Sequence, residues 1–393
     1  MSARSFRGTR AALVLATIGA LTLAGCGGGD DPTTSTRSDL EVVVNPSNAS
    51  QGVSVPERRF FAADSPWNVR IDGSDVDPRS SQMISLARER VGVVQRAGSS
   101  ELLTQRRVVN EGVYINTERW TTAVVAGGEP TKLVCRQLVC GDGADTTILN
   151  IPSDVDPDPR YDGWFTIFDI SKPIAYDLWR ARREDDGTIS YQFMRKWDLD
   201  GSGFQAPQTV SARGSGLPLF AGLLRPKELQ AGLITHALAI SVPGPAQGVF
   251  VKPASSTDGN GRLSSLPEGA RIRLKANVTV PLPTDPKTGK PIRLTAQQRR
   301  MADAIVAALR TYGGIVVDRA AVPTLYAQRD VTSDMIAGNE LAALHLDDFE
   351  VVKLSPRIRL TPGVTAAPSA AATASASASA SASPSASAST KDQ

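Results

Sequence analysis

One of only two histidines in the chain, His236, lies in the stretch Gly214 to Val242, GSGLPLFAGLLRPKELQAGLITHALAISV. Imidazole is the side chain that most readily exchanges protons near neutral pH, so a histidine in a glycine- and proline-rich segment is a candidate acid, base or substrate hydrogen bonder. The segment also holds Arg225, whose planar guanidinium suits a carboxylate or hydroxyl. Pro226 fits the first position of a helix and Gly232 its end, so PKELQA reads as one or two helical turns. From Leu233 to Val242 the residues alternate, which puts Ile234, His236, Leu238, Ile240 and Val242 on one face of a strand. The bland alternative is a core histidine with both nitrogens satisfied by its neighbours.

Other residues offer carboxyl or ring chemistry. In IAYDLWRA, Tyr176 shares a strand face with Leu178 and Arg180, while Asp177 and Trp179 lie side by side on the other face, as a sugar site or any half-exposed sheet would have them. Tyr176, Asp177 and Asp198 join His236 and Arg225 as candidate catalytic groups. Trp67, Trp164 and Trp179 are candidate flat faces for a glycan. Asp198, Asp200 and Ser202 in DLDGSG resemble the first, third and fifth positions of an EF-hand calcium loop, followed by the sharp-turn glycine Gly203. The match fails further on, because Thr209 stands where a bidentate glutamate belongs, and an Asp/Gly turn explains the same residues. No cofactor is expected, and no other metal.

The ends of the 393-residue chain have characters of their own. Arg4, Arg7 and Arg10 precede an apolar run from Ala11 to Leu23, shorter than the ~20 residues a bilayer span needs, which reads as a secretory signal over residues 1–25. Leu23-Ala24-Gly25-Cys26 resembles the lipobox of bacterial lipoproteins, and that resemblance implies a diacylglycerol on Cys26. The expected location is outside the cytoplasm, anchored to a bacterial membrane, in the periplasm or facing outward. Removing the signal takes three arginines from the 43 basic residues and leaves 40 against 40 acidic ones, so no basic surface for nucleic acid is expected. Residues 26–56 are too polar to fold and read as a tether, and residues 361–393 collapse to an Ala/Ser/Pro tail. An oxidising compartment favours pairing of Cys135 with Cys140 across a tight turn.

Between these ends, residues 57–360 read as one β-rich α+β domain, an antiparallel sandwich or barrel-like body with a few peripheral helices. Short strands are expected at VYIN, TTAVVA, TKLVC, TTILNI, WFTIFDI, IAYDLWRA and ISYQFMRKW, separated by Gly, Asp and Pro clusters. Asp77 as a cap with Pro78 and the spacing of Met83, Leu86 and Val91 predicts a helix. PSDVDPDP reads as a stiff surface loop, and Arg271, Arg273 and Lys275 as the solvent face of a strand or the wall of an anion groove. Thr295 and Gln298 form a capping box before an amphipathic helix that ends at Gly313. GIVVD then reads as a buried strand, Ser333 to Leu346 as a second amphipathic helix carrying a surface His345, and DFEVVKL as the closing strand.

DSPWN, DGWFTIFD, AYDLWRA, GLPLFAGLLRP, GLITHAL, LPEGARIRLKA and LRTYGGIVVDR together resemble a family of exported bacterial proteins of unassigned activity, over most of residues 60–354. The resemblance implies one β-rich domain with a few helices and brings no established reaction. At Trp164 this chain departs from the histidine that is frequent in the family. The chain has no nucleophile elbow, no His-Glu-x-x-His and no phosphate-binding loop. Two functions stay open: a tethered hydrolase or lyase acting on polysaccharide, or a non-catalytic lipoprotein that binds glycan or an envelope protein partner through its tryptophans.

Overall fold

The computed structural model describes residues 58–364, apart from 119–120, 144–146, 161, 285–287 and 289. The signal, Cys26, the tether and most of the tail lie outside the described residues.

Helix α1 (Ser80–Ala87) leads into the antiparallel hairpin of β1 (Glu89–Gln95) and β2 (Leu102–Val108). Short strands follow: β3 (Tyr114–Asn116), β4 (Ala123–Ala126), β5 (Glu129–Cys135), β6 (Ile148–Ile151), β7 (Phe165–Phe168), β8 (Ile174–Trp179), β9 (Arg182–Arg183), β10 (Ile189–Tyr191) and β11 (Phe193–Asp198). After a long connection come α2 (Pro226–Ala231), β12 (Leu238–Val242), β13 (Val249–Phe250), β14 (Arg271–Leu274) and α3 (Ala296–Thr311). The chain then runs through β15 (Gly314–Arg319), β16 (Thr324–Tyr326), β17 (Phe349–Val351) and β18 (Ile358–Arg359).

A six-stranded mixed sheet, ordered β17-β14-β15-β12-β16-β3, and a four-stranded sheet, ordered β11-β8-β7-β4, form the body, with a smaller sheet ordered β6-β5-β10-β9 beside them. Among the described residues no sheet closes into a barrel, and the body is sandwich-like and β-rich. Strand alternation distributes the side chains between layers. Leu238, Ile240 and Val316 face helices α1 and α3 in one core, whereas Ala239, Ile315 and Val317 face Val124, Phe168 and Trp197 of the four-stranded sheet in a second. The other side of that sheet, with Val125, Phe165 and Ile167, meets Leu133 and Ile189 of the small sheet in a third. Both central sheets are therefore covered on both faces. This explains why β12 is buried at every residue, so its alternation marks two cores and not an inside and an outside.

Several expectations hold and several shift. Helix α3 begins with the capping box of Thr295 and Gln298, and the Asp185-Asp186-Gly187 turn joins β9 to β10. The Asp77 carboxylate accepts from the Arg79 N–H, helix α1 starts only at Ser80, and Val91 belongs to the β1–β2 hairpin. Residues 333–346 form turns, because the Glu340 carboxylate captures the N–H groups of Ala337 and Gly338, and Gly338 adopts φ 101°. Strand β12 starts at Leu238, not Leu233, and β18 follows β17. Pro157 and Asp158 of PSDVDPDP are buried. Arg271, Arg273 and Lys275 share a face, but they tie loops down: Arg271 donates to the Tyr312 carbonyl, Arg273 to Glu350, and Lys275 to the Asp347 carbonyl. No helix among the described residues is long and apolar enough to cross a membrane.

Cys135 and Cys140 are joined in a disulfide at the end of β5. The loop it closes is short, so chain entropy gives it about 2 kcal/mol. Replacing both cysteines with serine should lower stability by no more than that in denaturant unfolding; a much larger loss would make the bridge a main support of the fold.

Candidate functional site

Helix α2 starts as Pro226 dictates, and Gly232 ends it at φ 68°, a left-handed turn that suits glycine. The turn sends the chain back along the helix, so His236 returns beside Glu228. His236 Nε2 lies 3.0 Å from Glu228 Oε2, and Nδ1 lies 2.9 Å from the Ala237 carbonyl oxygen. Arg225 donates to Glu228 Oε1 at 3.2 Å, and its guanidinium carbon stands 4.2 Å above the centre of the Phe60 ring. Both ring nitrogens of His236 are thus occupied by the protein, and the ring is only 5% exposed. Arg225 and Glu228 both keep an exposed portion, Glu228 slightly more.

The group borders a cleft of about 1150 Å³, floored by β4 and rimmed by polar side chains including Arg59, Lys227, Gln230, Thr235, Arg329 and Asp330. Burial acts to raise the Glu228 pKa, but the charge and hydrogen bond of His236, then Arg225, outweigh it and hold the carboxyl below its ordinary 4.5. A depressed carboxyl stabilises the fold fully above the unfolded-state value, and that contribution disappears as pH falls through the folded-state value. Below pH 4.5 the wild type should therefore lose stability more steeply than Glu228→Gln. Thermal unfolding across the acid range checks this, and parallel acid limbs would remove the ion-pair network from the account.

Of the remaining sequence candidates only Trp67 borders the cleft. Tyr176 packs in the third core with Lys196 over its ring. Asp177 is sealed and accepts from Thr166 Oγ1 at 3.0 Å; burial pushes it up to about 6, against the pull of Arg213 and Thr166. Asp198 is the exposed last residue of β11, and its carboxylate accepts from the Asp200 N–H. Asp200 pairs with Arg58, and the Ser202 hydroxyl donates to the Phe204 carbonyl, so the calcium-loop oxygens are spent separately. Trp67 is 1% exposed and donates to the Gly203 carbonyl. The Trp164 face is covered by Arg213, 3.1 Å away, and Trp179 lies under Arg180 and donates to Asp162. None of the three tryptophans offers an open face to a ligand.

A second polar centre has no counterpart in the sequence analysis. The carboxyl oxygens of Asp258, Glu268 and Asp318 lie within 4.8 Å of one another, and this is the one grouping among the described residues able to hold a metal ion. Burial, then Asp258, pushes Asp318 up to about 8, and burial with Asp258 and Asp318 raises Glu268 well above its ordinary value. Arg213, 1% exposed, places Nη1 3.9 Å from Asp318 Oδ2 and makes no hydrogen bond through any of its three nitrogens. The available signal was the carboxylate that ends the otherwise apolar run GIVVD. The chain matches no family model, no curated protein and no solved structure, and its chemistry rests on these side chains.

Proposed function

We propose that this is an exported, lipid-anchored envelope protein that binds glycan in the cleft beside α2 and cleaves it as a hydrolase or lyase. Glu228 is the reacting carboxylate. Arg225 and His236 hold it ionised and oriented, which makes His236 a positioning residue and not the group that exchanges a proton with substrate. The observation that carries this reading is the cleft itself: its volume suits a short run of sugar units, its rim is made of hydrogen-bonding side chains, and a carboxylate stands at its wall. The Leu23–Cys26 motif supports the anchor, and an anchored protein meets polysaccharide on either side of the envelope.

The alternative of a glycan-binding lipoprotein that works through tryptophans loses its platforms, since Trp67, Trp164 and Trp179 are all under 9% exposed. The test is release of reducing ends and of unsaturated products over a panel of cell-wall and plant polysaccharides. Turnover on any one of them supports the enzyme. Binding in the cleft without turnover on any member would leave a binding protein.

A further inference from the structure

We propose that Asp258, Glu268 and Asp318 bind a divalent cation of the calcium class. The site goes beyond the glycan reading, since none of the three lines the cleft. Two oxygens held by one calcium at about 2.3–2.6 Å stand no more than about 5 Å apart, and the three carboxyls already meet that limit. Magnesium, at about 2.0–2.1 Å, would need them drawn closer.

A second observation points to a ligand. Glu268 is fully buried, and its Oε1, within the cluster, has no hydrogen-bond partner. Asp258 Oδ1 is likewise buried and unpartnered. Buried oxygens left without partners are costly, and a hard cation with oxygen ligands satisfies all of them together.

Charge favours a cation over an anion. Asp162, Asp177 and Asp318 act on Arg213, Arg319 donates to Asp258, and Glu268 is buried against Asp258, so five carboxyl groups surround two guanidinium groups. Arg213 and Arg319 serve as outer partners that orient Asp318 and Asp258. The cation would join three distant segments: the loop after β13, the approach to β14 and the end of β15.

The experiment is thermal unfolding of the full chain in detergent, stripped with chelator and then titrated with calcium chloride or magnesium chloride, alongside a direct count of calcium retained after desalting. The expected result is a rise in the unfolding midpoint of about 5 °C at calcium well above its dissociation constant, a smaller rise with magnesium, and about one calcium per chain. Asp258→Asn, at the least buried of the three, should weaken binding several-fold in a protein that still folds; Glu268→Gln and Asp318→Asn should abolish the shift. No shift and no retained calcium in the wild type would overturn the site. So would a shift that survives all three substitutions, and an equal response to magnesium would overturn the calcium assignment.

Discussion

Glu228→Gln is expected to lower kcat/KM on the responsive glycan by about 10²–10⁴-fold while the protein stays folded, because glutamine keeps the shape and loses the charge that would take or share a proton. The substitution separates roles that sit 3 Å apart. Glu228 meets Arg225 on one oxygen and His236 on the other, so it is the convergence point of the group at the cleft wall. His236 touches the Ala237 carbonyl and Glu228 and has no nitrogen left over. His236→Gln should therefore act through Glu228: with the histidine's influence gone, the carboxyl pKa rises and the acid limb of the pH–rate profile moves to higher pH. Steady-state kinetics across pH gives both results. A Glu228→Gln enzyme with full turnover, or a His236→Gln enzyme that is dead with an unmoved profile, would sink this division of labour.

That division was half legible in the sequence. Arg225 and His236 stand in one segment with a proline and a glycine that mark the helix between them, and those two signals fix the local path. Glu228 was visible only as a residue of a short helix. What singles it out is the left-handed turn at Gly232, which folds the following residues back against it, so the pair depends on a chain reversal and not on spacing alone. The acid cluster was less accessible still. Asp258, Glu268 and Asp318 come from a glycine-rich loop, a proline-glutamate turn and a strand end, and only the packing of β14 against β15 brings them together.

The fold follows the same division between local and distant causes. Helix α3 has its cap, its stripe and its stop within its own residues, so it could be read without the rest of the chain. ISYQFMRKW looks like one strand, yet it divides at Gln192, whose N–H is taken by the Trp179 carbonyl; the first part pairs with β5 and the second with β8. Residues 333–346 carry helical spacing, but a single buried glutamate that captures two backbone N–H groups defeats it. Periodicity reports which residues are apolar together. It does not report which partner buries them.

Gly269→Ala is expected to cost about 3 kcal/mol or more. Gly269 adopts φ 84°, a conformation that costs an L-residue about 1–2 kcal/mol. An added Cβ would also stand 1.9 Å from the Val251 carbonyl oxygen and 2.8 Å from the Ala254 backbone nitrogen. These are backbone atoms held in place: the Val251 N–H donates to the Glu268 carbonyl, and the Gly269 N–H donates to the Val316 carbonyl. Overpacking against atoms that cannot yield adds about 1–3 kcal/mol. Gly187 supplies the control, since it has the same φ of 84° in the β9–β10 turn and nothing within 4 Å of an added Cβ. Gly187→Ala should therefore show the conformational part alone, about 1 kcal/mol, and the difference between the two variants isolates the clash. Denaturant unfolding of both decides it: equal losses would mean that the backbone at Val251 moves aside freely. Because Gly269 follows Glu268 directly, a substitution that displaces it should also diminish the calcium-induced rise in unfolding midpoint, whereas Gly187→Ala should leave that rise intact. A Gly269→Ala protein with reduced stability and an undiminished calcium response would separate the packing of this turn from the position of the Glu268 carboxyl.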